Sequence, residues 1–209
     1  MKISDVVFDF GGVVFDWKPA AMVRTHFGDD LSGFESAEAL ARAIFSHHDW
    51  QAFDRGERAL DDVVSQTAQR LAISDTKMHA LLAPIGEQLQ PIVSTVRLLG
   101  EMHSRRRSGE GARLLFLSNM PAPFARTLEL RHAFLDCFDG GIFSADVRLA
   151  KPENEIYQLL ARRYQLVANN TLFIDDHGPN VQAAAELGWH TLHLTDPTQL
   201  RQLLAEQLL

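Results

Sequence analysis

Four short stretches of this chain carry side chains able to do chemistry together, and each stands at a junction between elements. The apolar run Val6–Phe8 is followed by Asp9 and the pair Gly11-Gly12. Leu114–Leu117 runs into Ser118-Asn119, and Lys151-Pro152 precedes a helical segment. Leu172–Ile174 runs into Asp175-Asp176-His177-Gly178-Pro179-Asn180. Singly, each has an ordinary explanation: Ser118-Asn119 as a helix cap, Lys151-Pro152 as a helix start, and Asp-Asp before Gly-Pro as a turn. Collected at one edge, they supply three carboxylates, a hydroxyl, an amine and glycine-rich backbone. Asp9, Asp175 and Asp176 would repel one another unless a hard cation lay between them. Mg²⁺ suits that place because it takes oxygen ligands and binds beside substrate phosphates. A carboxylate next to it can attack phosphorus and form an aspartyl-phosphate. Ser118 can hydrogen-bond a phosphoryl oxygen, Lys151 can offset charge, and the N–H groups of Gly11 and Gly12 can approach the phosphate closely. Those parts suit phosphoryl transfer, whose catalysis is chiefly positioning and charge stabilisation.

The elements must bring the four stretches together. Val6–Phe8, Leu114–Leu117, Leu172–Ile174 and Thr191–Leu194 are too short for helices and read as buried strands. Ile92–Met102 and Glu153–Tyr164 have helical spacing of their apolar residues. This alternation predicts a doubly wound α/β domain with a parallel, Rossmann-like sheet, where ligands bind beyond the carboxyl ends of the strands. The interval from Lys18 to Leu89 reads as helices only, through Ala37–Phe45, Leu60–Leu71 and Lys77–Leu82. It is expected to form a small all-helical cap over residues 18–89, with residues 1–17 and 90–209 forming the core domain.

Composition narrows the partners. Lys plus Arg is 20 against 27 Asp plus Glu, a formal net charge of −7, which argues against general nucleic-acid binding. The run Arg105-Arg106-Arg107 reads as a solvated segment. The single cysteine, Cys137, allows no intrachain disulfide, and its apolar neighbours predict burial. Asp5 and Asp9 interrupt what a signal peptide would need as an apolar stretch, and no segment is long and apolar enough to span a bilayer. The expectation is a cytoplasmic protein with a small phosphorylated metabolite as partner, no nucleic acid and no membrane.

The four stretches FDFGGVV, LFLSN, AKPENEIY and FIDDHGPNVQAAAELG resemble, in order and spacing, the motifs of the haloacid dehalogenase-like hydrolase superfamily. The segment FDRGERALDD further resembles the cap of the alpha-D-glucose-1-phosphate phosphatase group. The resemblance implies a Mg²⁺-dependent phosphomonoester phosphatase acting on a small metabolite such as a sugar 1-phosphate. It makes Asp9 the nucleophile and a metal ligand, with the Gly11 carbonyl as a second ligand. Ser118 and Asn119 would hold the phosphoryl group and Lys151 would orient and neutralise. Asp176 would bind metal directly, Asp175 would stand beside it or act through water, and Asn180 would support their loop. Arg55 is the cap residue expected to touch substrate, while Trp17, Trp50 and Phe53 are candidates for the pocket wall.

One position departs from the pattern. Most family phosphatases carry a second aspartate two residues after the nucleophile, which protonates the leaving oxygen; here that residue is Gly11. Asp16, His177, a metal-bound water and Arg55 are the alternatives the sequence offers, with Asp16 read as an exposed turn. The departure also keeps open a phosphate-binding regulatory role. A 2-haloacid dehalogenase, using the same nucleophile on carbon without metal, is the other alternative.

Overall fold

The computed structural model describes residues 3–208, so residues 1–2 and 209 of the expected core domain lie outside the described residues. Each apolar run found in the sequence becomes a strand. β1 (Asp5–Phe8), β2 (Arg113–Ser118), β3 (Gly140–Phe143), β4 (Thr171–Asp175) and β5 (His190–His193) form one sheet ordered β3-β2-β1-β4-β5. Every pairing is parallel. Val6, Val7 and Phe8 are all buried, because β1 is central and covered on both faces. A central parallel strand therefore reads as an unbroken apolar run. In register, Phe8 lies level with Phe116 on one side and Ile174 on the other. The residues just beyond them, Asp9 and Asp175, consequently emerge at the same edge.

β3 is an element the sequence did not announce. Its GGIF begins with two glycines, which are poor strand formers, yet a side chain at Gly141 would collide with the Phe116 ring of the neighbouring strand. Tyr164 completes the fit: the Gly141 N–H donates to its hydroxyl (2.8 Å), and the hydroxyl donates to the Gly141 carbonyl (3.1 Å). Packing, not propensity, makes this a strand.

Between β1 and β2 run α1 (Pro19–Phe27), α2 (Ala37–Phe45), α3 (His48–Asp54), α4 (Leu60–Leu71), α5 (Asp75–Leu82), α6 (Ile85–Gln88) and α7 (Val93–Arg107). The α2 and α4 limits coincide with the sequence reading, while α5 starts two residues early because Ser74 caps it, accepting from the Lys77 N–H. α1, α3 and α6 were not foreseen; α3 and α6 are too short to display a clear period. The two ends of this helical interval are stapled together by backbone bonds from Asp16 N–H to Gln90 O and from Ile92 N–H to Val14 O, both 2.8 Å. The apolar interior of the interval is continuous with that of the sheet. Leu40, Ile44, Trp50 and Phe53 join Val6, Phe10 and Phe124 in one apolar cluster.

The remaining helices are α8 (Ala122–Arg131), α9 (Ser144–Val147), α10 (Asn154–Tyr164), α11 (Gly178–Glu186) and α12 (Leu200–Leu208). α10 and α11 cover the other sheet face, where Tyr157, Leu160 and Trp189 pack on Val7, Leu115 and Phe173. Arg105, Arg106 and Arg107 close α7, where their charge complements the helix C-terminus. Cys137 is half-buried, not fully buried as expected, since the short helical turn holding it has no buried residue. No helix among the described residues is long and apolar enough to cross a membrane.

Candidate active site

The site starts where β1 runs out. The Asp9 N–H donates to Ile174 O at 2.8 Å, extending the ladder one residue past the strand. The chain then coils tightly, with Phe10 O accepting from the N–H groups of Val14 (2.8 Å) and Phe15 (2.7 Å). Gly12 sits in this coil with φ of 68°, and a Cβ there would collide with the Asp176 carboxylate. Glycine is therefore what lets the loop after β1 meet the loop after β4.

A buried lysine ties the carboxylates together. Lys151 Nζ lies 2.8 Å from Asp9 Oδ1 and 2.6 Å from Asp175 Oδ2. Its backbone is clamped by the Asn119 amide: the Lys151 N–H donates to Asn119 Oδ1 (2.8 Å), and Asn119 Nδ2 donates to Lys151 O (2.9 Å). Asp175 is fully committed, since it also accepts from the His177 N–H (2.8 Å) and from Asn180 Nδ2 (3.1 and 3.0 Å). Asp176 differs: it is exposed toward the cavity, and no basic side chain among the described residues pairs with it. The two adjacent aspartates thus have different duties, one structural and one free.

The electrostatics follow from that arrangement. Burial pushes the Asp9 carboxyl up to about 7; Lys151 opposes the rise, and Asp175 and Asp176 add to it. Burial alone would lower Lys151, but Asp175 and Asp9 outweigh it and hold the ammonium above its ordinary value. Burial also raises Asp176, reinforced by repulsion from Asp175. Carboxylate oxygens of Asp9, Asp175 and Asp176 all lie within 4.8 Å of one another. Crowded oxygens with one unpaired carboxylate fit a hard divalent cation.

Beyond this edge opens a cavity of about 450 Å³. Asp9, Gly11, Asn119, Lys151, Asp176 and Arg55 line it, whereas Ser118 is buried at the end of β2 and Gly12 lies beneath Asp176. Arg55 reaches the cavity while its guanidinium is engaged by Glu153 (Nε–Oε1 3.1 Å). His177 stands at the rim, exposed. Asp16 is not part of the wall; it is exposed and paired with Lys18 at 2.9 Å.

The far wall is aromatic. The Trp17 and Phe45 rings meet edge-on at 5.3 Å, and Phe45 meets Trp50 at 4.7 Å. Ile85, Leu89 and Phe124 continue the surface. Phe53 does not reach the cavity; it packs behind it, 5.4 Å from the Phe124 ring. Among the wall residues that went unread in the sequence are Phe45, Phe124 and Asp54. The trace that could have given Asp54 is its place four residues after Trp50, hence on the same helix face.

The sequence matches the haloacid dehalogenase-like hydrolase family over residues 5–188. The sesquiterpene phosphatase astK of Aspergillus oryzae is 30% identical over 201 residues, which cover 94% of each chain. The (S)-2-haloacid dehalogenase of Pseudomonas fluorescens is 24% identical over 198 residues, 90% of this chain and 82% of that one. Among solved structures, the magnesium complex of a HAD family enzyme, bt-2542 from Bacteroides thetaiotaomicron, superposes with a TM-score of 0.68 at 19% identity, covering 92% of this chain and 93% of the other.

Proposed function

The chain belongs to the haloacid dehalogenase-like hydrolase family, and from that premise we propose that it is a Mg²⁺-dependent phosphomonoesterase for small metabolites whose alcohol portion is largely apolar. One observation carries the reading: an acidic cluster organised by buried Lys151 faces an aromatic cavity. Asp9, the Gly11 carbonyl and Asp176 would hold the ion, with Asp175 supporting them. When bound, Mg²⁺ supplies charge neutralisation for the phosphoryl oxygens and keeps the Asp9 carboxyl ionised. Asp9 attacks phosphorus, and the aspartyl-phosphate that results is hydrolysed by water. Lys151 holds the Asp9 oxygen in place, and Asn119 fixes Lys151 through its backbone.

The wall refines the substrate class. A sugar 1-phosphate, implied by the cap resemblance, needs hydrogen-bonding partners for several hydroxyls. Trp17, Phe45, Trp50, Ile85 and Leu89 offer apolar contact instead, and the astK relative is a sesquiterpene phosphatase. The dehalogenase alternative keeps a relative of its own, but an unpaired Asp176 beside two further carboxylates is a liability in a site without a cation.

The test is phosphate release from glycerol phosphate, hexose 1- and 6-phosphates, and geranyl and farnesyl monophosphates, with Mg²⁺ or chelator. Halide release from 2-haloacids is measured alongside. Hydrolysis should favour the prenyl esters and cease in chelator. Asp9→Asn should lose activity by a factor on the order of 10⁴–10⁶, as nucleophile removal does elsewhere. Halide release without phosphate release would overturn the reading, and so would activity indifferent to chelator.

A further inference from the structure

Gly11 leaves the leaving-group oxygen without its usual proton donor, and the cavity contains a carboxyl that no part of the mechanism has yet used. Asp54 ends α3 and lines the same cavity as Asp9, Gly11 and Lys151. We infer that Asp54, delivered from the helical interval, is the general acid that protonates the departing alcohol and then the base that activates water. This rests on the phosphomonoesterase reading and assigns the one role that reading leaves vacant.

Three geometric facts carry it. In-line displacement at phosphorus puts the leaving oxygen opposite the attacking one. Asp9 attacks from the sheet edge, so the leaving oxygen points toward the wall built by the helices. Asp54 stands on that wall one helical turn after Trp50, and both residues face the cavity. A phosphate over Asp9 with its alcohol portion against Trp50 therefore places the bridging oxygen beside Asp54. Second, α3 is anchored to the core at this point. The buried Ser144 hydroxyl donates to the Asp54 carbonyl and accepts from the Met120 N–H (2.8 Å), in the loop that follows Ser118-Asn119. Gly56, two residues on, has φ of 68° and lies so close to Ala145 that a Cβ would come within 2.7 Å of its carbonyl oxygen. Third, the other side chains offered for the role are less suited: Asp16 is outside the cavity, paired with Lys18, His177 is on the exposed rim beside Asp176, and Arg55, though in the wall, has its guanidinium engaged by Glu153.

The protonation state agrees. Burial pushes the Asp54 carboxyl up to about 8; the charges of Arg55 and Lys151 oppose this and that of Asp9 adds to it. Asp54 thus carries its proton near neutrality, as an acid must. In the first half-reaction, an Asp9 oxygen bonds to phosphorus and the bond from phosphorus to the alcohol oxygen breaks. That electron pair takes the Asp54 proton, giving free alcohol and a carboxylate. In the second, a water oxygen bonds to phosphorus while Asp54 takes its proton, the bond from phosphorus to the Asp9 oxygen breaks, and inorganic phosphate leaves with Asp9 ionised and Asp54 protonated again.

The experiment compares wild type, Asp54→Asn and Asp54→Glu on phosphate monoesters graded by leaving-group pKa, from 2,4-dinitrophenyl phosphate to primary alkyl phosphates. Wild-type kcat/KM should depend weakly on leaving-group pKa. Asp54→Asn should lose about 10²–10⁴-fold on alkyl esters while staying within about threefold on the dinitrophenyl ester, whose leaving group needs no proton. Asp54→Glu should restore part of the alkyl activity. Retained dinitrophenyl ester hydrolysis also reports that the variant is folded. Equal losses across the series, or none, would overturn the assignment while leaving the phosphomonoesterase reading intact. Failure of wild type on every ester would overturn both.

Discussion

The edge formed by the strand ends and the aromatic wall opposite it are built on different plans. At the edge, Asp9, Asn119, Asp175 and Asp176 sit at or one residue beyond a strand end, Lys151 stands just ahead of α10, and polar contacts lock the set: Lys151 to Asp9 and Asp175, Asn119 to the Lys151 backbone, Asn180 to Asp175. At the wall, Trp17, Phe45 and Trp50 come from separate segments and hold one another by ring packing alone. Chemistry needs oxygens placed to within a fraction of an ångström, which only a rigid and fully satisfied network provides. Recognition of an apolar group needs area and shape, which rings supply without directional bonds. The edge should therefore respond to substitution through catalysis and folding, and the wall through substrate preference.

The sharpest break in that comparison runs between two neighbours at the edge. Asp175 pairs with Lys151 inside the protein, so Asp175→Ala leaves a buried ammonium with one partner lost, at a cost of about 3–5 kcal/mol. Scanning calorimetry in chelator should show a thermal midpoint lower by about 10 °C. Asp176 makes no such pair, and its carboxyl is raised by burial and by Asp175. Asp176→Ala should fold normally and instead lose Mg²⁺ affinity on the order of 100-fold by calorimetric titration, since even supporting partners of a ligand cost about 10–100-fold. Matching losses of stability and affinity in both variants would erase the distinction drawn here.

The same contrast explains what the sequence disclosed. Asp9, Asp175 and Asp176 stand at the ends of strands whose apolar runs are visible, parallel pairing brings those ends together, and Lys151 is marked by the helical spacing of the segment it precedes. β1 and β4 were readable because both faces of a central strand are apolar. β3 was not, because its glycines are fitted to Phe116 and Tyr164, residues distant in sequence. Asn119 was assigned to the phosphoryl group, and its side-chain commitment to the Lys151 backbone appears only in three dimensions. Phe45 and Phe124 looked like ordinary apolar positions of α2 and α8; nothing local separates a cavity wall from a core. Asp54 was passed over because its environment is made by β1, α3 and Lys151 jointly. Signals carried by consecutive residues survive in one dimension, and signals made by packing do not.

A second test asks how much repulsion the three carboxylates store when no divalent cation is present. Asp9 is raised from its ordinary 3.8 to about 7, so on folding it holds its proton more tightly than in the unfolded chain. Its protonated form contributes stability that is fully present below about pH 4 and is lost as pH rises toward 7. Asn does not titrate. In chelator, the midpoint of Asp9→Asn minus that of wild type should therefore grow between pH 4 and pH 7 and level off above, by an amount worth about 2–4 kcal/mol. Added Mg²⁺ should shrink the gap at pH 8 by giving the wild-type carboxylate a partner. A gap that stays constant with pH would show that repulsion among Asp9, Asp175 and Asp176 is relieved by some other route.

The wall should yield the smallest effect and the most selective one. Trp17 and Phe45 are half-buried and line the cavity, so Trp17→Ala and Phe45→Ala remove contact surface without hollowing the deepest core. Covering a large apolar side chain is worth about 1.5–3 kcal/mol, and each ring offers part of that to a prenyl group. The expected loss in kcat/KM for geranyl or farnesyl monophosphate is about 10–100-fold, with glycerol phosphate within about threefold. The loss should appear in KM. On the proposed reading these rings would touch a part of the substrate that does not change as the phosphorus–oxygen bond breaks, and so would bind ground state and transition state alike. Substitutions at Asp9 or Asp54 should lower kcat, because their interactions strengthen only as charge and protons move. If Trp17→Ala lowered kcat equally for prenyl and glycerol esters, the indole would be acting on the reacting atoms through Gly11, whose Cβ position lies 3.5 Å from its side chain. The wall would then belong to the catalytic edge.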